Sequence, residues 1–341
     1  MGKIEKNLDW SSLGFAYHRT EWNARYYYRG GKWSEMELSD SEYFQIHISA
    51  ACLHYGLELF EGLKAFRCAD GRIRMFRPDE NAARLQASAR KVMLPVPSTE
   101  MILNACAEVV RRNVDYVPPY GTGASLYLRP FLIGTNAVLG VKAATEAMLV
   151  VFASPVGAYF KEGLQPISAV IDRDQDRAAP RGTGDVKVGG NYASSILSGA
   201  RAHELGYANV LYLDTCERRY IEEFGAANFF GIRDGKYVTP KSNSILPSIT
   251  NKSLRQLAAD MGLTVEERQV PVEELELFDE CGACGTAAVI SPVQKIVDMQ
   301  TGKVYTFGDG VGEYSRKLFD MLQDIQYGRI PDPYGWTVEV E

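Results

Sequence analysis

Apolar residues alternate with polar ones over 45–49 and gather into short apolar-rich runs at Ile73–Phe76, 125–133 and 148–153, and these strand-like runs predict four strands in the first half of the chain. Between them Pro78-Asp79 opens a helix. A second helix from about Glu100 carries Ile102, Ala105, Val109 and Val110 at helical spacing. After Gly157 the chain turns rich in Gly, Asp and Pro as far as Gly190, with one short strand at Ile167–Ile171, which predicts a linker over 158–167 between domains at 1–157 and 168–341. The second half continues with a helix after Tyr192 and strands at Asn209–Leu213, 219–223 and 228–232. A helix over 251–261 follows, with Leu254, Leu257, Ala258 and Met261 on one face and Gly262 as its stop. Mixed strands and helices in both halves predict two α/β or α+β layers, with a site in the cleft between them.

Composition narrows the function classes. At 341 residues the chain is long enough for two cores. Its 37 Lys+Arg and 43 Asp+Glu are scattered rather than gathered into a basic stripe, which argues against nucleic acid as a partner. The longest apolar run, 147–160, is too short to cross a bilayer and is interrupted by Pro155 and Gly157, so no membrane partner is expected. The opening residues lack an apolar h-region, and Lys6 stands where a myristoylation signal needs Ser or Thr, so a cytoplasmic location is expected. Six cysteines are too few for a disulfide framework. Cys281 and Cys284 form the one CxxC pair, with all four histidines far from it, so no metal site is expected.

Three loops hold more Gly, Ser and Thr than turns require. In 182–192, GTGDVKVGGNY, neither the dinucleotide nor the P-loop pattern is present; what stands out is Lys187 close to glycines that would let a flat ligand approach its amine. A desolvated lysine is a nucleophile toward carbonyl cofactors, although on these residues alone Lys187 also reads as a solvated loop lysine. The segment 244–250, SILPSIT, runs into a helix, whose free N–H groups and positive dipole end suit a phosphate; Thr250 as a plain N-cap is the structural alternative. The segment 281–288, CGACGTAA, offers N–H groups to a second anion, or simply a turn with Gly at positive φ. Alternation turns only one of Glu222 and Glu223 inward, and an inward carboxylate needs a cation, for which a protonated ring nitrogen would serve.

These segments together resemble the branched-chain amino-acid aminotransferases, fold-type IV enzymes that use pyridoxal 5'-phosphate. HYGLELFEGLKAFR at 54–67, FRPDENAARL at 76–85, YLRPFLIGT at 127–135 and PVGAYF at 155–160 carry the resemblance in the first half. GTGDVKVGGNYASS at 182–195, IEEFGAANFF at 221–230, ILPSIT at 245–250 and GTAAVISPV at 285–293 carry it in the second. The resemblance implies a smaller N-terminal α/β domain and a larger C-terminal domain with a barrel-like sheet. It implies that Lys187 is the catalytic residue and carries the cofactor on its amine, that Tyr192 bonds the ring O3′, and that Glu223 pairs with the protonated ring nitrogen. Arg84, Leu246, Ile249, Thr250 and Thr286 complete the implied cofactor site, chiefly around the phosphate. Implied substrate contacts are Tyr55, Phe60, Tyr127, Arg129 and Tyr159, with the Thr286-Ala287 amides at the α-carboxylate.

Aromatic walls would take a leucine, isoleucine or valine side chain, while Arg129 and the tyrosine hydroxyls would receive the distal carboxylate of glutamate. The implied reaction is ping-pong exchange of an amino group between these amino acids and 2-oxoglutarate, in a homodimer where a loop of one subunit closes the other's pocket. Ser248 replaces a common Gly, Ala226 replaces a Thr found in some members, and Ala288 and Ser291 occupy the places of a redox-sensitive cysteine pair in certain animal members. Rival readings are a D-amino-acid aminotransferase or aminodeoxychorismate lyase of the same fold, and a non-catalytic protein that binds a phosphate ligand.

Overall fold

The computed structural model describes residues 8–160, 163–308 and 310–340; residues 161 and 162 of the expected linker lie outside the described ones. The chain divides into two compact units. The first holds the chain up to Tyr159, the short piece Val186–Gly189 and the segment from Asp324 onward; the second holds Phe160–Asp185 and Gly190–Gln323.

In the first unit a nine-stranded sheet runs in the order Thr337–Glu339, Ile73–Phe76, Leu63–Arg67, Ser125–Gly134, Ala147–Val156, Asn23–Arg29, Lys32–Trp33. Glu37–Ser39 pairs with Asn23–Arg29, and Glu58–Phe60 with Ser125–Gly134. Helices Pro78–Lys91 and Thr99–Arg112 cover one face through Leu85, Ile102, Ala105, Val109 and Val110, packed with Leu63, Ala65, Leu126 and Leu128 from the strands. Alternation therefore turns Lys64, Tyr127 and Arg129 to the opposite face.

In the second unit six strands close into a barrel: Ile221–Phe224, Asn209–Leu213, Ile167–Ile171, Val289–Asp298, Glu280–Gly285 and Ala227–Arg233, which pairs back onto the first. Lys236–Pro240 and Thr264–Arg268 extend it from Ala227–Arg233, and Val304–Thr306 pairs with Val289–Asp298. Its apolar filling includes Phe224, Phe229, Val238, Phe278 and Ile296. Among the described residues no helix is long and apolar enough to cross a membrane.

Several local expectations need correction. Residues 45–49 form no strand: Ser49 N donates to His47 Nδ1 at 3.1 Å, closing a local turn, and Ile48 is 84% exposed, so the alternation has no sheet to face. The helix expected at 251–261 begins at Ile249, and its cap is Ser248, whose hydroxyl accepts from Asn251 N at 3.2 Å; Thr250 is not the cap. The segment 281–285 is a strand rather than a turn. Gly282 is there because a Cβ would strike the Phe230 ring, and the positive φ of 64° belongs to Val289.

Candidate active site

Two groups of side chains gather the predicted residues, one in each unit. In the first, Val186–Gly189 lies beside Glu58–Phe60: Phe60 N donates to Lys187 O at 3.0 Å, and Lys187 N to Ser88 Oγ at 3.4 Å. Gly189 N donates to the Glu58 carboxylate, whose pKa burial raises against that bond, and Val186 and Val188 anchor the piece in the apolar core. The backbone of Lys187 is thus fixed on both sides. Its half-buried amine lies 4.8 Å from the Phe60 ring centroid, and the Arg129 guanidinium 4.9 Å from the same ring.

Arg129 Nη2 donates to the Tyr127 hydroxyl at 3.4 Å, while Arg129 Nε is a buried donor without a hydrogen-bond partner among the described residues. Such a group calls for a hydrogen-bond acceptor, a place that a water or an anion can fill. Tyr127 in turn packs edge-on against Phe15 at 5.2 Å and sits over Gly62, where a Cβ would overlap its hydroxyl. Gly62→Ala should therefore push the Tyr127 ring out of place, at a cost of about 1–3 kcal/mol in stability and about tenfold in KM with a smaller change in kcat. Steady-state kinetics of the variant checks this, and an unchanged KM would count against the substrate contact expected of Tyr127.

Arg84, on helix Pro78–Lys91, makes a two-pronged ion pair with Glu61, Nε to Oε1 at 2.8 Å and Nη2 to Oε2 at 2.7 Å, and Asn81 adds a bond to Oε2 at 2.7 Å. Tyr55 stands apart from the Phe60 group in these contacts: 37% exposed, it donates to the carbonyl of Leu139, in a loop where Leu139 and Val141 are themselves exposed. Tyr159 is also exposed.

In the second unit, barrel closure sets Glu223 opposite Asn228, and Asn228 opposite Cys284. Both Glu222 and Glu223 are buried, against the expectation of one, because a closed and covered barrel leaves neither face of this strand to water. Glu222 accepts from Ser242 Oγ at 2.9 Å. Glu223 Oε1 accepts from Leu246 N at 2.9 Å and pairs with Arg177 Nη2 at 2.6 Å, and Oε2 accepts from Asn228 Nδ2 at 3.0 Å. Burial raises the Glu223 pKa to about 7 even though Arg177, Leu246 N and Asn228 all favour the carboxylate.

Sequence reasoning missed Arg177. Its Nη2 also bonds the carbonyls of Ser244 and Gly184, and its own carbonyl accepts from Ser194 Oγ at 2.7 Å, so it joins the loops on either side of Lys187 to the segment before the helix. The demand for a cation near Glu223 was the available signal, but Arg218 and Arg219 lie nearer in sequence than Arg173, Arg177 and Arg181 in the tract before Lys187, so it did not single out Arg177.

Leu246 sits with this group, its carbonyl accepting from Asn228 Nδ2 at 3.1 Å. Ile249 and Thr250 open the helix Ile249–Asp260, so their amides have no carbonyl within the helix to donate to. Thr286 and Ala287 form the turn between Glu280–Gly285 and Val289–Asp298. Tyr192 is half-buried in the short helix Gly189–Ala193.

A lysine fixed beside an aromatic ring in the first unit, and a buried acid held by an arginine and a capped helix start in the second, are compatible with a transaminase, the class that comparison with known proteins gives. The family model for amino-transferase class IV matches residues 58–296. The branched-chain-amino-acid aminotransferase of Haemophilus influenzae is 50% identical over 98% of this chain and 100% of its own length, and that of Helicobacter pylori 48% over 98% of each.

Among solved structures, the Escherichia coli branched-chain amino acid aminotransferase is similar at a TM-score of 0.79, with 29% identity over 95% of this chain and 100% of that one. The PLP-form of the branched-chain amino acid aminotransferase from Thermobaculum terrenum is similar at 0.77, with 25% identity over 94% and 99%. The chain belongs to the class IV aminotransferases and, within them, to the branched-chain-amino-acid aminotransferases.

Proposed function

We propose that this protein exchanges the amino group of L-leucine, L-isoleucine or L-valine with 2-oxoglutarate, giving branched-chain 2-oxo acids and L-glutamate, with pyridoxal 5'-phosphate as cofactor. The observation that carries the reading is the Glu223 carboxylate, buried in the barrel, ion-paired to Arg177 and accepting from Leu246 N and Asn228 Nδ2, with room on Oε2 to accept from a protonated ring nitrogen as well. The donor set fits the cofactor at its other positions. Ile249 and Thr250 amides with Thr286 suit the phosphate, Arg84 oriented by Glu61 adds positive charge, and Tyr192 supplies a hydroxyl for O3′. Bound pyridoxal phosphate supplies an aldehyde that takes up the amino group and a protonated ring that draws electrons from the substrate Cα.

Lys187 holds the cofactor and, once released, its amine removes the proton from the substrate Cα. Thr286 and Ala287 amides bind the α-carboxylate. Phe60, Tyr127 and Tyr159 wall the side chain, and Arg129 receives the second carboxylate of glutamate on its unpartnered Nε. Tyr55 and the loop at Leu139 serve the pocket of a partner copy in a homodimer. The protein works in the cytoplasm.

The test is an absorbance titration of the pyridoxal-phosphate-loaded protein with L-leucine and then 2-oxoglutarate, which should convert the cofactor band and restore it. Turnover of D-alanine but not L-leucine would favour the D-specific relatives, and a colourless protein indifferent to pyridoxal phosphate a non-catalytic binder. Arg129→Met should raise KM for 2-oxoglutarate roughly 10- to 100-fold, the worth of a charge-assisted hydrogen bond, while KM for L-leucine changes far less. Equal losses for both substrates would refute the role given to Arg129.

A further inference from the structure

Behind Glu223 runs a line of polar side chains that the proposed reaction does not use. Tyr237, on Lys236–Pro240, donates its hydroxyl to Asn251 Oδ1 at 2.8 Å. Asn251, in the first turn of Ile249–Asp260, donates from Nδ2 to Asn228 Oδ1 at 3.2 Å and to Thr239 Oγ1 at 2.9 Å. Asn228 donates from Nδ2 to Glu223 Oε2. All four side chains are buried, and Tyr237 is clamped by a parallel stack on Phe230 at 5.2 Å.

The direction of these bonds is the informative feature. A tyrosine hydroxyl has one proton to give, and giving it to Asn251 Oδ1 fixes which end of that amide faces Asn228; this in turn fixes Asn228 with its NH2 toward the carboxylate. Every donor in the line points to Glu223, so each bond polarises the next and the last one strengthens the hold on a negative oxygen. Oε1 already accepts from Leu246 N and faces the Arg177 guanidinium in an ion pair, whereas among the described residues Oε2 accepts from Asn228 alone.

We infer that Tyr237, Asn251 and Asn228 are positioning residues that keep Glu223 a carboxylate in one orientation, with Oε2 as the atom presented to the ring nitrogen. The inference rests on the cofactor reading for the last clause only. Asn251 follows Thr250 directly, so the same line ties the acid to the helix start proposed for the phosphate. The charged and titratable groups facing the line are Arg177 and Glu222 at Glu223, Cys284 between Glu223 and Tyr237, and Arg255 at Tyr237.

The test is a carboxyl-carbon NMR titration of the full chain labelled at glutamate, without added cofactor, in wild type, Asn228→Ala and Tyr237→Phe. Asn228→Ala should raise the Glu223 midpoint by about one pH unit, and Tyr237→Phe, which leaves every atom touching Glu223 in place, by a few tenths of a unit in the same direction. A merely structural role would lower stability and leave the midpoint where it is. That result in Tyr237→Phe overturns the inference, even if Asn228→Ala does not fold. Adding pyridoxal phosphate to the same samples separates the two claims: no cofactor band in wild type defeats the cofactor reading, while the titration still decides the donor line.

Discussion

Lys187→Ala is expected to fold normally and to lose turnover by about 10⁴-fold, the upper range for removal of a positioned general base. The fold should survive because what anchors this piece is backbone and apolar contact. Phe60 N meets the Lys187 carbonyl, Lys187 N meets Ser88 Oγ, and Val186 and Val188 sit in the core, none of which needs the amine. The loss should be chemical. Arg129 also lies over the Phe60 ring, but a guanidinium offers donors and no acceptor, so it is no base for the Cα proton. The variant should also fail to convert its cofactor band on addition of L-leucine over seconds to minutes. Near-normal turnover, or a thermal midpoint lowered by more than a few degrees, would show that the lysine does structural rather than chemical work.

How much of this was legible beforehand depended on whether the deciding interaction was local. Helix Thr99–Arg112 could be read because its apolar stripe repeats at helical spacing and Ser98 caps it three residues before Met101. Strands Ile73–Phe76 and Ile167–Ile171 were read to the residue, since their apolar and β-branched side chains suit a pleated surface. Strand Glu280–Gly285 was not legible: Cys, Gly and Ala carry no period, and what makes them a strand is the space under Phe230 and pairing with Ala227–Arg233.

The adjoining strands Glu58–Phe60 and Leu63–Arg67 were hidden for a related reason. They line up on the same strand, Ser125–Gly134, but break at Glu61-Gly62, where Glu61 turns to Arg84 and Gly62 makes room for Tyr127. For the candidate site, residue types within one motif were visible, whereas partners supplied from elsewhere in the chain were not. Arg177 lies in a tract of Asp, Arg, Gly and Pro that reads as a loop and gives no hint of which arginine turns inward.

Arg177→Met should destabilise the protein by about 3–5 kcal/mol at pH 8.5, because it leaves a buried carboxylate without its cation. The loss should depend on pH in a definite direction. Burial holds the Glu223 pKa near 7, above the ordinary carboxylate value of 4.5, so between those values the folded chain binds the proton more tightly than the unfolded one and this group's contribution falls as pH rises. In the wild type the fall ends near pH 7. Removing the attraction of Arg177 raises the folded pKa further, so in the variant the fall continues above pH 7 and the gap between the two proteins widens from pH 6 to pH 8.5. Urea unfolding of the full chain at those two pH values measures it. Adding Glu223→Gln to Arg177→Met should remove the widening, since the second change takes away the charge that the first leaves unpaired. A gap of the same size at both pH values would mean that Arg177 acts only by tying the Gly184 and Ser244 carbonyls together and does nothing for the charge on Glu223.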